Sequence, residues 1–243
     1  MNRQTASPFS QISTVVLHLI IINTLVWLAT VILYQRFDID LADYLGLHSW
    51  NSATFNPAQL LTYMFMHQAI SADGSMAFGH LFFNMFSLYM FGRILEQVWG
   101  WKKFLFYYLF AGLGAAVMQE ITWMITLREV IAHPDILCQV GSMQMSAEEL
   151  LGMLCTVGAS GSVFGILLAF GWLFPEERLM LIFLPIPIKA RLFVGGYAII
   201  ELFLGVANFR FDNIAHFAHL GGMVFGALLL LYWKKKGKLY RRN

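Results

Sequence analysis

The chain has 243 residues, of which 58% are hydrophobic and only 12% charged, with a formal net charge of +2. Soluble domains carry about 25% charged residues, so an ordinary soluble enzyme is excluded, and the small net charge argues against a nucleic-acid partner. The apolar residues fall in runs of about 20, enough for a helix to cross about 30 Å of hydrocarbon, without the alternation of a β-barrel. The expected class is an all-α membrane protein. Two cysteines, Cys138 and Cys155, make no disulfide framework. Cys155 reads as a small core residue and Cys138 as a free loop thiol.

In chain order, residues 1–11 form a short polar tail, and a first helix is predicted from about Ile12 to Tyr34. Its flanks lack a strong basic cluster and a small-residue cleavage site, so it reads as a retained helix and not a signal peptide. A long connection follows to about Met76, marked by Asn56-Pro57 and Asp73-Gly74. Within it, Pro57 to Met66 is too short to span and reads as an interfacial or re-entrant segment, tolerated at membrane depth only against protein. Helix 2 is predicted over Ala77–Trp99 and helix 3 over Trp101–Ile125, with a second long loop to Glu149. Helix 4 lies within Leu150–Phe174, stopped by Pro175. The segment Leu179–Ile188, with Pro185 and Pro187, skims the interface. Helix 5 covers Ala190–Asn208 and helix 6 Ile214–Trp233, joined by the short loop Phe209–Asn213, and a basic tail, 234–243, ends the sequence. No repeat or low-complexity tract interrupts this, so 12–233 reads as one six-helix domain with a long, partly membrane-embedded first loop.

Orientation follows from the basic residues. With both termini cytoplasmic, 13 of the 16 Lys and Arg lie inside, and only Arg36, Arg128 and Arg210 lie outside. Helices 2, 4 and 6 then all enter from the outer side. Counting back from their inner ends puts Ser160, His219 and His80 at about 20–22 Å, at 1.5 Å per residue. All three therefore sit roughly 8–10 Å below the outer surface of a core about 30 Å thick.

A hydroxyl and two imidazoles at one depth point to acyl chemistry. Histidine is the usual base for a serine nucleophile, which casts His219 as the base for Ser160. The tetrahedral oxyanion needs preorganised donors. His80 and Asn84 lie four apart on one face of helix 2, and the backbone amides around Gly158 and Ala159 could add to them. Gly158 and Gly161 leave room for a substrate backbone. Gly161-x-x-x-Gly165 on helix 4 and Gly222-x-x-x-Gly226 on helix 6 allow close helix approach. Gly161 and Gly165 lie about 100–140° round from Ser160, which places Ser160 at the helix start. No orienting acid is evident. Asp212, Glu120 and Glu201 are the outer-half carboxylates, the two glutamates read as packing or loop-tethering groups, and a Ser–His dyad is preferred to a triad.

These residues carry a resemblance to the rhomboid family of intramembrane serine proteases. The family pattern is H-x-x-x-N, G-x-S-G and A-H-x-x-G on helices 2, 4 and 6. The chain has His80-Leu-Phe-Phe-Asn84, Gly158-Ala-Ser-Gly161 and Ala218-His-Leu-Gly-Gly222, together with Glu96-x-x-x-Gly100. The resemblance implies that Ser160 is the nucleophile, His219 the base, and His80 and Asn84 the oxyanion donors, with Phe164 packing on the histidine. It implies as substrate a transmembrane helix of another protein, cut near its outer end. The Trp-Arg pair common in the family's first loop is absent around Gln59-Leu60, which leaves the docking of that loop open.

Rival readings exist. Ser160 could be a small residue at a helix crossing. Ser162 points about 200° away from it, and the glycine placement favours Ser160. His216 shares much of the face of His219, and only the family pattern separates them; His216 would then line the outer cavity. His18 and His67 read as structural or interfacial. No H-E-x-x-H occurs, and neither a metal nor a cofactor is expected. A transporter would need inverted repeats, which the sequence lacks, and a non-catalytic binder of client helices would not need the serine and histidine. Helix 5 with Phe209–Asn213 is the expected gate. The expected partners are transmembrane substrates and the lipid bilayer, with the oligomeric state open. Compactness fits a multi-pass protein of a bacterial cell membrane.

Overall fold

The computed structural model describes residues 14–71, 73–141, 143–181, 184–207 and 215–240. The N-terminal tail, the Phe209–Asn213 connection with Asp212, and the last three residues of the basic tail lie outside the described residues. Helices dominate. Among the described residues, four are long and apolar enough to cross a membrane: α1 (Thr14–Phe37), α6 (Trp101–Thr126), α10 (Ala190–Ala207) and α11 (His216–Lys235). Between α1 and α6 come α2 (Ala42–Leu45), β1 (Leu47–His48), α3 (Gln59–Thr62) with a 3₁₀ turn at Tyr63–Phe65, α4 (Gly79–Ser87) and α5 (Arg93–Trp99). A π turn at Leu88–Gly92 joins α4 to α5, so the predicted helix 2 is one rod with a local bulge. After α6 come α7 (Arg128–Ala132), β2 (Leu137–Val140), β3 (Met143–Ser146), α8 (Ala147–Met153), β4 (Cys155–Thr156), α9 (Ser160–Leu173), β5 (Arg178–Leu181) and β6 (Leu184–Lys189).

The core is built on α6, α9 and α11, which pack on one another, with α10 against the outer side of α9 and α11. Small residues make this possible. Any side chain at Gly222 would run into the Gly161 carbonyl, one at Gly165 would meet Ala111, and one at Gly226 would meet the Tyr107 hydroxyl. The two glycine pairs thus face each other across α9 and α11, and backbones touch where lipid alone offers little driving force for association. Outward, α1 and α10 present Leu25, Ile32, Ile199, Phe203 and Val206, the pattern of a helix solvated by hydrocarbon.

Two features of the connections matter for the site. Helix 4 lies within Leu150–Phe174 as expected, but α9 fills only the second part of that run. Ser146 caps α8 in a reciprocal box with Glu149, and the chain then extends so that Cys155–Thr156 pair antiparallel with Leu47–His48. Cys155 is therefore an exposed strand residue and not a core one. Gly158 follows at φ 133°, a conformation L-residues avoid, and α9 begins only at Ser160. The first loop, in turn, is docked without the family's Trp-Arg pair. Buried Gln59 donates to the Tyr44 and Thr54 carbonyls (3.2 and 3.0 Å) and accepts from the His48 and Asn56 amides (3.3 and 3.2 Å). The Tyr63 hydroxyl donates to the Gly112 carbonyl at 2.7 Å, and Glu120 accepts from the Trp50 amide at 3.1 Å. At the other end, the Glu96 carboxylate accepts from the Val15 and Val16 amides (3.1 and 3.0 Å), satisfying the open first turn of α1.

Candidate active site

Ser160 is the first residue of α9 and is half-buried. The first described bond into this helix start runs from the Val163 amide to the Ala159 carbonyl, at 3.0 Å. The amides before it lack intrahelical acceptors, and the positive end of the helix dipole lies at the serine. From α11, His219 brings its Nε2 to 2.9 Å from Ser160 Oγ. Phe164, one turn after the serine, stacks on the His219 ring at 4.2 Å and 8°, and Tyr197 of α10 backs Phe164 at 4.9 Å.

The far side of His219 meets a carboxylate. Glu201 Oε2 lies 3.0 Å from His219 Nδ1 and 2.7 Å from His216 Nδ1, with the glutamate and His216 both buried. The sequence reading of Glu201 as a packing or loop-tethering group therefore changes, because it contacts the imidazole that faces the serine. His216, expected to line the outer cavity, is buried against that carboxylate. A usable signal existed. Ala190, Val194 and Glu201 form the buried stripe of α10, at spacings of four and seven, and an intramembrane carboxylate on such a face points inward. The rival Ser162 is fully buried and donates to the Tyr108 carbonyl at 2.8 Å, on the opposite side of α9.

His80 enters from α4. Its Nδ1 accepts from the Gln68 amide at 3.3 Å, so in a neutral ring the proton sits on Nε2. That Nε2 would be 2.9 Å from a Cβ on Gly158, whose absence leaves the ring its place beside Ser160. Asn84 is buried on the same face and commits one amide proton to the His80 carbonyl at 2.9 Å. The amides of Gly158 and Ala159 are used differently from the expectation. Gly158 donates to the Tyr63 carbonyl at 3.0 Å, and Ala159 points its amide at His67 Nε2, 3.5 Å away. Both serve the docked loop and are not turned to an oxyanion. Gly161, likewise, faces Ala115 and Gly222 and makes no room for substrate. His67, fully buried in the loop and packed edge-on to His80 at 5.0 Å, has its imidazole pulled down to about 3 by burial, with His80 adding to the shift. It stays neutral and can accept.

Glu201, His216 and His219 could in geometric terms hold a metal ion, their ligand atoms lying within 4.8 Å of one another.

Comparison with known proteins bears on the family of the chain. The profile of the Rhomboid domain family matches residues 55–236, well over half of the chain. The chain is 28% identical over 174 residues to Rhomboid protein 1, mitochondrial, of Saccharomyces cerevisiae, covering 71% of this chain and 43% of that protein. It is 26% identical over 170 residues to the Presenilin-associated rhomboid-like protein, mitochondrial, of Bos taurus, covering 67% and 38%. The match thus takes in about two fifths of the length of these relatives.

Proposed function

Because the chain belongs to the rhomboid family, we propose that it is an intramembrane serine endopeptidase cutting transmembrane helices of other proteins near their outer ends. The observation that carries this reading is the 2.9 Å contact between His219 Nε2 and Ser160 Oγ. Ser160 Oγ attacks the scissile carbonyl carbon while its proton passes to His219 Nε2. The tetrahedral oxyanion is met by the Nε2–H of His80, helped by Asn84 and by the helix-start amides of α9. Collapse breaks the C–N bond as His219 returns the proton to the leaving amine. Water then enters from the outer face, is deprotonated by His219, and hydrolyses the acyl-enzyme.

The reading includes six spans over 12–233, in which α4 with α5 and the short α9 join the four long helices, and both termini lie in the cytoplasm, supported by the bias of basic residues. The membrane is the location that the helices support. The named relatives are mitochondrial and lend nothing to the bacterial cell membrane expected from compactness. The partners are transmembrane substrates and the surrounding lipid.

A non-catalytic binder of client helices is the competing function, and one experiment separates the two. Wild type and Ser160→Ala are incubated in proteoliposomes with a model transmembrane substrate. Outer-end cleavage by wild type alone is the expected result, and equal product from both removes Ser160 from the function.

A further inference from the structure

We propose that Glu201 is a positioning residue that fixes His219 in the tautomer able to take the Ser160 proton, turning the pair into a Ser–His–Glu relay spread over α9, α11 and α10. The inference rests on the peptidase reading above. A carboxylate only accepts hydrogen bonds. The Nδ1 atoms of His219 and His216 lie 3.0 and 2.7 Å from the same oxygen, so each donates to it. A neutral His219 with its proton on Nδ1 has its lone pair on Nε2, which is the atom that meets Ser160 Oγ. Phe164 fixes the plane of the ring but cannot choose between its nitrogens, and Glu201 supplies that choice.

His216 completes the device. A buried carboxylate with a single donor carries a large desolvation cost, and the second imidazole lowers it by offering a second N–H. During turnover Ser160 Oγ–H gives its proton to His219 Nε2, Nδ1–H stays on the ring, and Glu201 remains an anion that steadies the imidazolium. Among the described residues, the titratable groups around His219 are Glu201 and Tyr197 on α10, His216 on α11, Ser160 on α9 and His80 on α4.

The test uses the full chain in proteoliposomes, with Ser160→Ala as the zero of activity. Glu201→Gln keeps the shape and removes the charge. It should lower kcat by about 100- to 10,000-fold with KM within about threefold, the scale reached when a triad histidine loses its acid. The acid limb of kcat/KM should move to lower pH, because without the anion the imidazolium is harder to form. Glu201→Asp should recover at least about tenfold over Glu201→Gln. Independently of any variant, nitrogen NMR of histidine-labelled wild type should find His219 protonated at Nδ1 and bare at Nε2. A kcat for Glu201→Gln within about threefold of wild type with an unmoved acid limb, or a wild-type His219 carrying its proton on Nε2, overturns the role of Glu201 and leaves Ser160 and His219 untouched. Equal cleavage by Ser160→Ala and wild type would instead remove the peptidase reading, and the relay with it.

Discussion

The two sides of His219 are built in opposite ways. On one side the α9–α11 seam is closed by glycines to the point where backbones touch, Gly222 lying directly over the Gly161 carbonyl. On the other, α10 is loosely seated. Only 17% of its apolar window is buried, against 50% for α11, and it reaches the core through a few groups, chiefly Val194, Tyr197, Glu201 and Gly205. Ser160 and His219 lie on the closed seam, so their separation is set by packing that cannot slide. The carboxylate proposed to orient His219 comes from the peripheral helix, so that orientation would depend on a polar clasp and not on close packing.

The largest effect tests the seam's cargo. His219→Ala should lower the cleavage rate by about 10,000-fold or more, read in a single-turnover assay with reconstituted protein. Next comes the seam itself. Gly222→Val places a branched side chain against the Gly161 carbonyl, and overpacking of this kind costs about 1–3 kcal/mol. Shifting His219 by about 1 Å should also slow cleavage by about 100-fold, so thermal unfolding in detergent and rate should fall together. A rate that survives the loss of stability would mean that the seam does not set the geometry.

Smaller effects are expected away from the seam. Gln59→Ala deletes four loop hydrogen bonds and should cost about 1–3 kcal/mol through the buried backbone groups left unpaired, measured as a lowered unfolding midpoint. The smallest change falls on α10. A side chain at Gly196 meets nothing, so Gly196→Ala should leave activity alone and stabilise the helix by about 0.5–1 kcal/mol. Destabilisation there would show that α10 is more tightly seated than its burial indicates.

The parts of this arrangement that follow regular spacing were legible in the sequence. Helix length gave α1, α6, α10 and α11 within a few residues. A count of 1.5 Å per residue put Ser160, His219 and His80 level with one another, and the three do come together; the angular offset of Gly161 and Gly165 placed Ser160 at a helix start, where the chain has it. Relations between elements far apart in sequence were not legible. Glu201 meets residues 15 and 18 positions away across a connection, where no periodicity applies. The strand at Cys155–Thr156 was hidden inside an apolar run, because two residues of strand are too few to show a period of their own. The Gly158 and Ala159 amides were assigned to an oxyanion because they stand at the expected start of helix 4. Their partners, Tyr63 and His67, come from a loop whose docking depends on Gln59 and Tyr63, and no motif announced it.

The late start of α9 has a further consequence. Its 14 residues amount to about 21 Å of helix, some 9 Å less than ordinary hydrocarbon thickness. In the proposed peptidase, lipid chain length then acts as a ruler. Longer acyl chains raise the headgroup plane above the serine, and a client helix must present a bond further along its own axis to reach it. The site of the cut becomes a property of the bilayer as well as of the protein.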